Sequence, residues 1–119
     1  MAKEVVTTTG AVYSILAMGS RISGNIYSEE DIRIEGSLNG DLICKGKVIL
    51  GPHAVLRGNV KCVNAELSGI VEGDIEANEQ LSLREKSQLR GAIKTSTLII
   101  EPGARFNGTC EMYSREGDI

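Results

Sequence analysis

Residues able to do acid–base, nucleophilic or metal chemistry are few and scattered. The candidates are one histidine, His53, three cysteines, Cys44, Cys62 and Cys110, and one acidic run, Glu29-Glu30-Asp31. A histidine serves as general base only beside a substrate cleft and an orienting partner. His53 follows Gly51-Pro52, a turn signal, and reads as a solvated turn residue. Zinc sites need spaced cysteine pairs such as C-x-x-C, and a disulfide framework needs an even count; the chain has neither. The cysteines read as reduced thiols of an intracellular protein. A redox pair or stacked ligands at Cys44 and Cys62 remains the alternative, with no further ligand nearby. A glycosidase would place carboxylates across a cleft, whereas Glu29-Glu30-Asp31 sits in a turn and reads as a solvated corner. No phosphate-cradling glycine loop and no calcium-binding nonapeptide occurs, so no cofactor is implied.

Composition bounds what could position such residues. The chain has 119 residues, enough for one small domain. At 41% hydrophobic it has material for a core, yet only 3% is aromatic. Isoleucine, valine and leucine must therefore fill the interior, with 14 glycines between them. Each glycine costs roughly 1 kcal/mol against alanine inside a helix, which argues for short strands and turns. The net charge of −3 lacks the basic footprint of a nucleic-acid binder. Apolar runs fall short of the roughly 20 residues that span a bilayer. Residues 1–13 show no basic region followed by a small-x-small cleavage site, and they read as a flexible leader. Residues 113–119 read as a short polar tail.

A repeat supplies the missing organisation. The unit apolar-x-Gly-x-apolar occurs six times: Ile22 to Ile26, Leu38 to Leu42, Leu56 to Val60, Val71 to Ile75, Leu89 to Ile93 and Phe106 to Cys110. The central glycines step by 16, 18, 15, 18 and 17 residues, a mean of 16.8. Between the units lies a second alternating segment: Ile32-Arg-Ile34, Val48-Ile-Leu50, Ala65-Glu-Leu67, Leu81-Ser-Leu83 and Leu98-Ile-Ile100. Apolar–polar alternation marks a half-buried strand. About 17 residues, at roughly 3.3 Å each, hold three such strands and their corners. The expected fold is all-β, a parallel β-helix of about six coils over residues 14–112. Inside it, Ile22, Leu38, Leu56, Val71, Leu89 and Phe106 form one ladder. Ile26, Leu42, Val60, Ile75, Ile93 and Cys110 form another. Strict alternation turns the glycine between them outward, and a bend or bulge is the reason considered for it.

A solenoid exposes an apolar cross-section at each end unless it is capped. Here the last coil offers Leu98, Ile100, Phe106 and Cys110, and the first offers Ile15, Leu16, Ile22 and Ile26. Such ends predict stacking, and a contact that does not close gives a filament. The stretch IRIEGSLNGDLICKGKVILGPHAVLRGNV resembles the bactofilins, bacterial polymer-forming cytoskeletal proteins, and the likeness extends over about residues 14–112. The resemblance implies a right-handed, three-faced β-helix that assembles end to end without nucleotide and without catalysis. It implies non-polar filaments in which like ends meet. It further implies scaffolding of cell-wall, cell-shape or chromosome-segregation partners in the cytoplasm or at the inner face of the cytoplasmic membrane. Phe106 stands where the family keeps an aromatic important for polymerisation. Family members that bind membrane use a leader mixing apolar and basic residues, while residues 1–13 here carry one lysine and one glutamate. The alternative is a left-handed β-helix acyltransferase, because Leu50-Gly-Pro-His-Ala-Val and Ile100-Glu-Pro-Gly-Ala-Arg resemble hexapeptide repeats. Against it, 16.8 is not a multiple of six.

Overall fold

The computed structural model describes residues 14–112, with side chains described from residue 17. The leader and the tail lie outside the described residues. The strands in the first half are three or four residues long: β1 (Ser14–Leu16), β2 (Arg21–Ser23), β3 (Ile26–Ser28), β4 (Ile32–Ile34), β5 (Ser37–Asn39), β6 (Leu42–Cys44), β7 (Lys47–Leu50) and β8 (Val55–Arg57). In the second half some strands run through corners: β9 (Val60–Leu67), β10 (Ile70–Glu72), β11 (Ile75–Leu83), β12 (Gln88–Ile100) and β13 (Arg105–Met112). Every described pairing is parallel. The strands of the first half fill less than a third of the 17-residue period each, because corners take up the rest.

Register defines three faces. On the first, Ser14, Ile32, Val48, Ala65, Leu81 and Leu98 succeed one another, five turns of the chain. Residues 99–112 add most of one more turn. The second face stacks β2, β5, β8 and β10 and then the starts of β12 and β13. The third stacks β3, β6 and parts of β9, β11, β12 and β13. The all-β parallel solenoid expected from the repeat is the observed architecture.

The core is a stack of columns. Leu38, Leu42, Leu56, Val60, Val71, Ile75, Leu89 and Ile93 are all buried. So are Ile34, Val48, Leu50, Leu67, Leu81 and Leu83 from the first face. Ser28, Cys44, Cys62, Ala77 and Thr95 close the interior where the third face turns, and small side chains there let the corner tighten. Four aliphatic columns of this width leave little room for rings, which accounts for the shortage of aromatics.

The unequal glycine steps have a local cause. Between the first and second faces the corner has four residues at 17–20, 51–54, 84–87 and 101–104, closed by hydrogen bonds such as Ala54 N–H to the Gly51 carbonyl (3.1 Å). At 35–36 and 68–69 it has only two. The steps of 16 and 15 contain the short corners, and those of 18, 18 and 17 the long ones. A side chain at Gly69 would press on the carbonyl of Ala54, so the short corner needs glycine.

The repeat glycine does not face outward, which corrects the strict-alternation reading. Gly58 has φ +150 and Gly91 φ +144, beyond the comfortable range of other residues. A Cβ at Gly58 would overlap the carbonyl oxygen of Gly40, and one at Gly91 that of Gly73. The position points along the axis at the preceding turn. The glycine is a corner at which successive peptides lie one on another, not a bulge.

Candidate polymerisation surface

Among the described residues the solenoid has a first and a last turn. At the C-terminal end, β12 supplies Leu98 and Ile100 to the last rung of the first face, and β13 supplies Phe106, Cys110 and Met112. Each stands in a column that is inward throughout the body. Ile100 is in register with Leu83, Phe106 with Leu89, Cys110 with Ile93 and Met112 with Thr95. Among the described residues no further turn covers them. Ile100 is 49% and Met112 53% exposed, Cys110 is exposed, and Leu98 and Phe106 are half-buried against the core. Ile99, in an outward column, adds to the apolar rim at 42% exposure. A contiguous apolar end of this kind marks an interaction surface.

At the N-terminal end the side chains are described from residue 17 onward. Ile22 is half-buried, and Ile26 is already in the core at 5% exposure. Leu16 holds the register of Ile34, an inward column, while Ile15 holds that of Arg33 in an outward one.

Polar ladders brace the body between these ends. Asn25 Oδ1 accepts the Asp41 N–H (3.0 Å), Asp41 Oδ1 the Asn59 N–H (3.1 Å), Asn59 Oδ1 the Asp74 N–H (3.1 Å) and Asp74 Oδ1 the Ala92 N–H (3.1 Å). Ala92 offers no acceptor to the next turn, so this ladder stops before the last coil. The sequence carried the signal, in the Asn or Asp that directly follows four of its six repeat glycines, but the bond became visible only with turns stacked. A charge ladder runs beside the first face. Glu66 bridges Lys47 (2.9 Å) and Arg84 (3.2 Å), and Arg84 reaches Glu101 (2.8 Å). The hydrogen bond from Lys47 outweighs desolvation and, with that from Arg84, holds the Glu66 carboxyl below its ordinary range.

The chemically capable residues do not converge. His53 is exposed in its turn, and the nearby surface depression is lined by Pro52, Ile70 and Lys86. Glu29, Glu30 and Asp31 are exposed at a corner, where the Asp31 carboxylate accepts the Lys47 N–H (2.9 Å). Cys44 and Cys62 are buried on adjacent turns. Burial pushes both thiols up, Cys62 to about 12, which makes them poor nucleophiles. Cys44 Sγ instead donates to the Glu30 carbonyl (3.2 Å). A groove of about 510 Å³ on the third face is rimmed by Lys61, Glu76 and Lys94, whose charges alternate from turn to turn.

Comparison with known proteins places this architecture. The family model for bactofilins, described as polymer-forming cytoskeletal, matches residues 14–111. Two curated proteins of Myxococcus xanthus (strain DK1622) are similar. Bactofilin BacP is 32% identical over 118 residues, 99% of this chain and 48% of BacP. Bactofilin BacO is 28% identical over 109 residues, 92% of this chain and 86% of BacO. The chain thus spans about half the length of BacP. No solved structure matches significantly. The parallel solenoid, its repeat over residues 14–112 and the family match over nearly the same residues agree, and the chain belongs to the bactofilin family of polymer-forming cytoskeletal proteins.

Proposed function

We propose that this chain is a non-enzymatic scaffold protein that stacks end to end into filaments without nucleotide. The observation that carries the reading is the C-terminal end, where columns buried along the body surface as Ile100, Phe106, Cys110 and Met112. Covering them returns each column to the environment it has elsewhere in the chain, so apolar burial alone drives association. Like ends meet, the exposed C-terminal columns of one copy covering those of the next. Each contact is then isologous, and the resulting filament is non-polar. The partners are further copies of the chain, with cell-wall or envelope proteins held on the polymer in the cytoplasm or at its membrane.

Negative-stain microscopy of the purified chain without nucleotide tests this reading. Filaments are expected. Phe106→Arg places an unpaired charge in the apolar contact, at a cost of several kcal/mol, and should dissolve them while the β-type circular dichroism persists. Small closed trimers in both samples would instead favour the acyltransferase alternative.

A further inference from the structure

The second face carries a charge pattern opposite to that of the whole molecule. Its inward column runs from Ile22 to Phe106, so the flanking columns face solvent. One is Arg21, Ser37, Val55, Ile70, Gln88 and Arg105; the other is Ser23, Asn39, Arg57, Glu72, Arg90 and Asn107. These positions hold four arginines, no lysine and one glutamate, a local charge of +3 in a chain of net charge −3. The rest of the chain therefore carries −6. All four arginines are exposed. The Arg57–Glu72 pair (3.2 Å) is solvent-exposed on both sides and holds Arg57 only weakly. From Arg21 to Arg105 is five turns, about 24 Å at about 4.8 Å per strand.

We infer that this face docks onto the phosphate groups of an anionic phospholipid surface. Guanidinium forks match phosphate oxygens in pairs, and an all-arginine set suits that geometry better than lysine does. The face is a row of short parallel strands with its arginines spread over its length, which fits an extended anionic plane. Exposed Ile70 and half-buried Val55 stand among the arginines, placing aliphatic carbon at headgroup level. No aromatic side chain occupies the two outward columns, so the face lacks the stacking platforms of a single-strand nucleic-acid binder. Attraction of basic side chains to an anionic leaflet falls off within a Debye length, so binding by this face weakens with salt. The surface uses none of the apolar end residues, and its failure is distinguishable from failure of filament assembly.

Flotation of the full chain with vesicles tests the assignment, since free filaments sink while vesicle-bound protein rises. Vesicles containing phosphatidylglycerol should carry the protein up at low ionic strength, and pure phosphatidylcholine vesicles should not. High salt should release it. Arg57→Glu combined with Arg90→Glu changes the face from +3 to −1 and should lower the floated fraction at least five-fold. Lys61→Glu combined with Lys94→Glu makes the same change in total charge on the third face and should leave flotation near the wild-type level. Both pairs lie away from the ends and should still form filaments in negative stain. Equal flotation of the arginine variant and wild type would overturn the proposal, as would equal loss in the lysine variant. Absence of wild-type flotation, with retention on immobilised polyglutamate or single-stranded DNA, would overturn the lipid assignment.

Discussion

Ser87 Oγ is the buried side-chain oxygen among the described residues that finds no hydrogen-bond partner. It sits at the end of a four-residue corner, where Ala54 and Ala104 hold the equivalent places. A buried hydroxyl without a partner costs free energy that alanine avoids. Ser87→Ala should therefore stabilise the fold by about 1 kcal/mol in denaturant melts, and destabilisation would show an unseen bond at that oxygen. Ser20, Gly36, Ala54, Gly69, Ser87 and Ala104 each stand four positions before a repeat glycine, so this small-residue column is visible in the sequence. The choice of glycine at 36 and 69 is not, because it depends on corner length and on a carbonyl of the turn before. The buried and unreactive character of Cys44 and Cys62 was legible from their place in the small-residue ladder. The exposure of Cys110 follows from its being the last rung.

Among the elements, the repeat glycine decides whether turns can stack. Gly58 has both an unusual φ and the Gly40 carbonyl against it, whereas Gly24, with φ +127, has nothing within 4 Å. Gly24→Ala should cost only the backbone strain, about 1–3 kcal/mol. Gly58→Ala adds steric overlap with backbone and should cost clearly more, read as a larger drop in midpoint. Equal losses would show that backbone strain alone selects glycine. Alternation gave every inward column from sequence, yet it misplaced this glycine, because a corner residue belongs to neither face of a strand. The ladder of Lys47, Glu66, Arg84 and Glu101 likewise joins residues 17 to 19 apart and has no local signature. Glu66 is held below its ordinary range by Lys47 and Arg84. Its contribution is complete above the unfolded carboxyl value, about pH 4.3, and is lost as pH falls through the depressed folded value. Melting temperature should fall across that window less steeply in Glu66→Gln than in the wild type. Parallel pH curves for the two would remove the ladder from the account of acid stability.

For the whole molecule, the question is whether the chain's apolar ends are surfaces or contacts. The solenoid and its columns follow from a period readable in the sequence. The burial of Ile26 does not, because it depends on how the first turn packs. The central claim is that the C-terminal turn lies against another copy in the polymer. Cys110 reports on that turn directly, since it is the exposed thiol among the described residues, while Cys44 and Cys62 are buried. The decisive measurement is the rate of maleimide labelling, followed by mass spectrometry, in the polymer and in the dispersed Phe106→Arg variant. The account predicts one fast-labelled thiol, Cys110, in the dispersed chain, and at least ten-fold protection of that thiol in the polymer by analogy with about 1.4 kcal/mol per decade. Filaments in which Cys110 labels as fast as in the dispersed variant would contradict it, and would place the subunit contact elsewhere on the solenoid.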